Sequence, residues 1–324
     1  MTHAIRIHQT GGPDVLCWEA VDVPSPAAGE VRVRQHAVGL NYIDTYHRTG
    51  LYPLPLPSGL GLEAAGVVEA IGDGVTEVKV GDRVAYAGGP VGAYAEVRNL
   101  PAHRLLPLPE SISFETGAAM MLQGLTAAYL LRRTYCVQPG DTVLIHAAAG
   151  GVGLIACQWA KVLGATVIGT VGSAAKGELA RANGCDHVID YSREDFARRV
   201  REITAGEGVP VVYDGVGKDT FMGSLDSLRP RGVMVSYGNA SGPVPPVDLL
   251  LLSQKGSLFI TRPTLMHYTA QRADLVALGK ALFDVVSSGQ VKVAVNQTYA
   301  LKNAAQAHRD LESRKTTGST VLLP

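Results

Sequence analysis

In the first hundred residues apolar side chains come in short runs broken by glycine and proline. Val31 and Val33 alternate with Arg32 and Arg34, the period-two pattern of a strand with one face in water. Turn signals separate the runs: GGPD at 11–14, Pro24-Ser25-Pro26, Gly29-Glu30, Gly72-Asp73-Gly74 and Gly81-Asp82. Many short strands between such turns predict a β-rich domain. From Ser113 the spacing changes. Residues 113–133 are rich in Ala, Met and Leu, with Ser113 able to cap and Arg132 and Arg133 closing the end, which predicts helix. Gly124 is expected to split this helix into two pieces and to act as a hinge, with the domain boundary near Leu125.

Residues 142–146, TVLIH, read as a buried parallel strand that runs into the turn AAAGGVG. A helix is expected over 154–163, so Gly150, Gly151 and Gly153 fall where a strand hands over to a helix N-terminus. Unpaired N–H groups and the positive end of the helix dipole converge there, a seat for a pyrophosphate. The motif reads A-x-G-x-x-G, with Ala148 at the usual first glycine, so on its own it fits any glycine-rich α/β turn as well. The rest of the chain gives it weight. Strands are predicted at 165–171, 186–190, 211–214, 233–238 and 257–262, with helices at 193–204 and 220–228 between them. Strands alternating with helices predict an α/β fold, a Rossmann doubly wound parallel sheet, beside the β-rich domain. The turns after these strands hold Gly215, Val216 and Gly217, then Gly238-Asn239, and Thr261-Arg262 closes the last, at the carboxyl ends where this architecture binds ligands. Two further helices, 273–286 and 301–314, and a final strand, 319–323, are expected to complete or cover the first domain.

The second strand of the sheet ends in Gly172-Ser173-Ala174-Ala175-Lys176, with no carboxylate before Glu178. An NAD site places an acid about 20 residues after the glycines to hold the ribose 2′-hydroxyl. A hydroxyl followed by a cation suits a 2′-phosphate instead, which predicts NADPH over NADH. A solvated lysine in the first turn of the next helix is the alternative for Lys176.

Composition narrows the classes. The 324 residues are enough for two domains, and 46% hydrophobic with 18% charged residues excludes a disordered tail. Lys plus Arg and Asp plus Glu each number 29, so no net field attracts nucleic acid. No apolar run approaches the roughly 18 residues of a membrane span, and no signal peptide is expected from residues 1–12. A soluble cytoplasmic protein is expected. Cys17, Cys136, Cys157 and Cys185 have no ligand spacing, so neither a disulfide framework nor a structural zinc lobe is expected, and Cys157 reads as a core residue.

Asn41, Tyr42, Asp44, Tyr46 and Tyr52 cluster before prolines at 53, 55 and 57. Polar aromatic groups ahead of a stiff segment can line a pocket for a flat carbonyl compound, with Asn41 and Tyr46 as donors; half-buried packing is the alternative for the tyrosines.

The ordered motifs GLNYID, PSGLGLEAAG, VGDRVA, HAAAGGVG, VVYDGVG, GNASGP and ESRKTTGS resemble the NADPH:quinone oxidoreductases, the ζ-crystallin-like, zinc-independent branch of the medium-chain dehydrogenases and reductases. The resemblance spans nearly the whole chain. It implies a GroES-like domain over residues 1–124, completed by 263–324, a Rossmann domain over 125–262, and a homodimer. NADPH contacts are implied for Asn41, Tyr129, Gly150, Gly151, Val152, Gly153, Gly172, Ser173, Lys176, Tyr191, Val216, Gly238, Asn239, Arg262 and Arg314. Asn41, Tyr46, Tyr52 and Gln123 are implied at the acceptor, a quinone held in the cleft between domains. Zinc-dependent relatives carry G-H-E where this chain has Gly61-Leu62-Glu63, so no metal is expected and alcohol oxidation is disfavoured. The rival readings are reduction of an α,β-unsaturated carbonyl by the same cofactor, and an NADPH-binding structural or RNA-binding protein, which the absence of a basic stripe counts against.

Overall fold

In the computed structural model, which describes Met1–Pro324, the chain opens with β1 (Thr2–Ile7) and β2 (Cys17–Val21), an antiparallel pair, and then reaches β3 (Glu30–Leu40). Val31 and Val33 are fully buried and Arg34 faces out, as the alternation predicts. After β3 come α1 (Tyr42–Thr49), β4 (Ser58–Gly59), β5 (Glu63–Ile71), β6 (Arg83–Ala87), β7 (Val97–Pro101), β8 (Leu106–Pro107) and α2 (Phe114–Tyr129). Helix α1 is an element that the sequence reading did not predict. Its signal is the spacing of Asn41 and Asp44: the Asp44 carboxylate accepts the Asn41 N–H at 2.9 Å and so closes the helix start.

Helix α2 is also unbroken, contrary to the expected split at Gly124. A Cβ there would lie 2.5 Å from Leu282 Cδ1, so the glycine makes room for a neighbouring leucine without breaking the helix. A single π turn, Leu130–Thr134, follows.

The second half holds β9 (Thr142–Ile145), α3 (Gly151–Val162), β10 (Thr166–Val171), α4 (Ala174–Ala182), β11 (His187–Asp190), α5 (Phe196–Ile203), β12 (Val209–Asp214), α6 (Phe221–Ser227), β13 (Leu228–Ser236), α7 (Leu250–Gln254) and β14 (Phe259–Thr261). These six strands form one parallel sheet in the order β11-β10-β9-β12-β13-β14. The strand order reverses between β9 and β12, the switch point where doubly wound sheets take ligands. Helix α3 begins at Gly151, earlier than expected, so Gly151 and Gly153 lie within its first turn and Gly150 is its N-cap.

The chain ends with α8 (Leu265–Tyr268), α9 (Arg272–Ser287), β15 (Val295–Ala300), α10 (Ala304–Glu312) and β16 (Ser319–Leu323). Strand β16 pairs antiparallel with β3, with Val321 opposite Gly39, in a seven-stranded sheet with β15, β5, β6, β7 and β8. Two compact units result: Met1–Leu125 with Tyr268–Ser287 and Val293–Pro324, and Thr126–His267 with Ser288–Lys292. Each has its own core. Val31, Val33, Tyr94, Leu105 and Leu322 belong to the first, and Leu144, Ile168, Val212 and Met234 to the second.

Candidate active site

Glycine-bearing turns follow the carboxyl ends of β9, β10, β12 and β13 in the second unit, and the first of them leaves backbone N–H groups bare. After β9, Ala147 takes a left-handed φ of 51° and its carbonyl accepts the Gly150 N–H at 2.9 Å, which turns the chain into α3. Gly150 is the N-cap, with no side chain over the helix end. A Cβ at Gly153 would run into Ala147 O and lie 2.8 Å from Ala148 Cα. The glycine is therefore required for α3 to start this close to the turn, and the first-turn N–H groups at Gly151 and Val152 stay bare.

The turn after β10 gathers the second group. Ser173 caps α4 by accepting the Lys176 N–H at 3.4 Å, and Tyr191 stands so near that a Cβ at Gly172 would lie 2.6 Å from its hydroxyl. Gly172, Ser173, Lys176 and Tyr191, all expected at NADPH, thus share one corner.

The third turn is held by an acid that sequence reasoning passed over. Asp214, the fully buried last residue of β12, accepts the N–H groups of Val216 at 2.8 Å and Gly217 at 3.0 Å, and the hydroxyls of Thr220 and Ser224 at 2.7 and 2.9 Å. Ser224 also meets His146 Nε2 at 2.9 Å, and Thr170 meets its Nδ1 at 2.8 Å. Burial holds the His146 imidazole below its usual range, opposed by Asp214. This network fixes the ends of β9, β10 and β12 against one another. The Asp214 turn packs on the next: a Cβ at Gly238 would lie 2.9 Å from Gly215 Cα, and one at Gly217 3.3 Å from Asn239 Cα. Arg262 donates to Ser236 O at 2.8 Å. Tyr129 is buried at the end of α2.

The first unit holds the acceptor candidates. Asn41 and Gln123 are in direct contact, Gln123 Nε2 donating to Asn41 Oδ1 at 3.1 Å. Asn41 Nδ2 donates to Glu63 Oε2 at 2.5 Å, leaving one amide hydrogen over. Tyr46 packs edge-on against Tyr52 with centroids 5.2 Å apart and tilts against Tyr42 at 5.8 Å, so the tyrosines form one aromatic wall along α1. Arg314 follows α10 at a left-handed φ of 59° and comes near enough to act on the Tyr42 phenol.

Behind this wall lie buried ionisable groups that sequence reasoning did not single out as a site. Asp44 accepts from the Tyr94 hydroxyl at 2.9 Å, Tyr94 meets His308 Nε2 at 3.0 Å, and Arg48 meets His308 Nδ1 at 2.9 Å and grips Glu312 at 2.7 and 3.0 Å. Arginine has no acceptor, so His308 Nδ1 accepts and Nε2 carries the proton toward Tyr94. Burial, then Arg48, pushes His308 down to about 3. Burial raises Asp44 to about 7 against its bonds from Asn41 and Tyr94, and raises Glu63 to about 8 against its bonds from Asn41 and Leu122.

Residues 27–110 match an alcohol dehydrogenase GroES-like domain and residues 151–276 a zinc-binding dehydrogenase model. The chain is 56% identical to a quinone oxidoreductase of Pseudomonas aeruginosa over 100% of both chains. It superposes on the solved Escherichia coli quinone oxidoreductase complexed with NADPH with a TM-score of 0.98, at 52% identity over 99% of this chain and 100% of that one. The chain belongs to the quinone oxidoreductase family. A 2-haloacrylate reductase of a Burkholderia species, 51% identical over 100% of this chain and 99% of its own, stands close by. The second family model is named for zinc, yet the residues here do not fit a metal: Leu62 is buried and non-ligating, and no three of His, Cys, Asp or Glu are grouped to hold an ion.

Proposed function

We propose that the protein reduces quinones with NADPH, as a cytoplasmic homodimer, with Asn41, Tyr46, Tyr52 and Gln123 at the acceptor and no metal assisting. The observation that carries this reading is full-length identity of 56%, 54% and 52% to three quinone oxidoreductases. The glycine cradle supports it, because bare N–H groups at a helix start suit a pyrophosphate.

NADPH, when bound, supplies the reducing equivalents. The chain contributes position and charge. Ser173, whose oxygen is committed to capping α4, keeps its hydroxyl hydrogen for a 2′-phosphate, and Lys176 offers the cation beside it. A carboxylate in this corner would repel the same phosphate. At the acceptor, the leftover Asn41 amide hydrogen meets negative charge as it develops on a carbonyl oxygen, held in advance by Glu63 and Gln123. The tyrosine wall offers flat apolar surface to a conjugated ring and keeps water from it. A quinone needs little acid help to accept electrons, so positioning carries most of the effect.

Reduction of an activated carbon–carbon double bond is the second reading, favoured by the 2-haloacrylate reductase relative. It additionally requires a proton at the carbon next to the carbonyl. Side-by-side turnover of a benzoquinone and an α,β-unsaturated ketone separates the two: preference for the quinone by kcat/KM is expected, and preference for the ketone overturns the first reading. Tyr46→Phe with Asn41→Ala lowers kcat/KM by about tenfold or more if these side chains bind the acceptor oxygen; an unchanged value removes them from the site.

A further inference from the structure

Two of the four cysteines meet inside the second unit. Cys157, midway along α3, and Cys185, in the short turn between α4 and β11, are 28 residues apart in sequence, yet their sulfurs lie 3.4 Å apart. Both are free thiols. Cys157 is fully buried, and Cys185 is 6% exposed.

The backbone is shaped for this meeting. A Cβ at Gly169 of β10 would lie 2.5 Å from Cys185 Sγ, and one at Gly184, whose φ is 99°, would lie 3.0 Å from Cys157 O. Two glycines thus clear the space in which the turn approaches α3. The turn is then tied down. Cys185 N–H donates to Ala180 O at 3.1 Å, while the Asp186 carboxylate accepts the Val167 N–H of β10 and the Lys161 ammonium of α3, each at 2.8 Å. The sulfurs are held face to face by anchored backbone on both sides. No metal-binding set of His, Cys, Asp and Glu includes them, which leaves thiol chemistry.

We propose that Cys157 and Cys185 are a reversible oxidation site, closed to a disulfide by hydroperoxides. Cys185 keeps the only exposed surface of the pair, and hydrogen peroxide is little larger than water, so attack begins there. As Cys185 gives up its proton, the Cys157 S–H donates to the sulfur left behind and stabilises the thiolate, which is the nucleophile. The same contact, then burial, holds the Cys157 thiol well above its ordinary range, so it keeps its proton at this stage. The Cys185 sulfur takes one peroxide oxygen: an S–O bond forms, the O–O bond breaks, and water or an alcohol leaves, with Cys185 now a sulfenic acid. The Cys157 sulfur next displaces the hydroxyl: the S–S bond forms, the S–O bond breaks, and the Cys157 proton departs with the hydroxyl as water. Two thiols lose two electrons and two hydrogens, and one hydroperoxide takes them. The sulfurs close from 3.4 Å to about 2.05 Å, an approach of about 1.4 Å shared between two side chains. A thiol reductant reverses the bond. Buried thiols are ordinarily inert; this pair differs because the group that resolves the sulfenic acid already touches it.

The test treats the native protein with hydrogen peroxide, blocks the remaining thiols with N-ethylmaleimide and maps linked peptides by mass spectrometry. A Cys157–Cys185 link is expected, lighter by two hydrogens and removed by dithiothreitol, with Cys17 and Cys136 unlinked. Cys157→Ser should lose the link and leave a Cys185 sulfenic acid that dimedone traps. Cys185→Ser should lose the link and give no dimedone adduct at Cys157. Wild type that forms no such link under peroxide strong enough to oxidise the exposed Cys136 overturns the proposal, whether or not the variants fold. A link that forms only after the protein is unfolded overturns it equally, and a dimedone adduct on Cys157 in Cys185→Ser overturns the assigned order of attack.

Discussion

Replacing Gly153 by alanine puts the glycine cradle to a quantitative test. The added Cβ would lie 2.8 Å from Ala148 Cα and 2.9 Å from Ala148 C, besides meeting Ala147 O. Carbon atoms rest about 3.5–4.0 Å apart, so either α3 or the turn must shift by about 1 Å. These neighbours are backbone atoms in a turn already held at a left-handed alanine, with no flexible side chain to give way. Overpacking of this kind costs about 1–3 kcal/mol of stability. The larger effect falls on the cofactor. A shift of about 1 Å takes N–H groups of the first turn out of hydrogen-bond range of a pyrophosphate, and losing one charge-assisted bond of about 2 kcal/mol weakens NADPH about thirtyfold. Gly74→Ala is the control. Gly74 has a positive φ of 76°, which Gly153 lacks, and nothing within 4 Å of its Cβ position, so that variant pays in backbone strain alone and leaves NADPH affinity unchanged. Fluorescence titration with NADPH and thermal unfolding of both variants read the two effects apart. G153A binding NADPH within about twofold of wild type would refute this role for the turn.

Other outcomes rest on the same geometry. Lys176→Glu is expected to cut the NADPH-over-NADH preference in kcat/KM by about tenfold or more, since an acid replaces the cation beside the 2′-phosphate; an unchanged ratio dismisses that corner. Asp44 has a folded carboxyl raised to about 7 from an ordinary 3.8, so its contribution to stability is full below about 3.8 and is lost as pH rises through about 7. In urea unfolding, Asp44→Asn should gain on wild type by about 1.4 kcal/mol per pH unit across that window, and a difference that does not vary with pH would contradict the raised carboxyl. Sedimentation at working concentration is expected to give a dimer, and a monomer would count against the proposed assembly.

The fold was legible because its signals are local. Period-two alternation at 31–34, β-branched runs such as TVLI and their small-residue turns specify strands whatever the rest of the chain does. Gly124 misled because a glycine that admits Leu282 looks, in sequence, like one that breaks a helix. Helix α1 was hidden for a different reason: aromatic side chains and nearby prolines pointed to a stiff loop, while Asn41 and Asp44, which close its first turn, were read for their chemistry. That Glu63 and Asp44 are buried and shifted was not legible because their partners lie far along the chain. Glu63 meets Asn41 from 22 residues away and Leu122 from 59, and Asp44 meets Tyr94 from 50. A lone acid in a sequence reads as solvated until those partners are brought to it. Asp214 had a nearer clue, an acid ending an otherwise apolar strand directly before Gly-Val-Gly, which is the place for a side chain that caps its own turn.

The sharpest check on the cofactor site is a crystal structure of the protein grown with NADPH. A pyrophosphate is expected against Gly150, Gly151 and Gly153, and a 2′-phosphate between Ser173, Lys176 and Tyr191. An empty glycine cradle, with the dinucleotide bound elsewhere or not at all, would contradict both assignments.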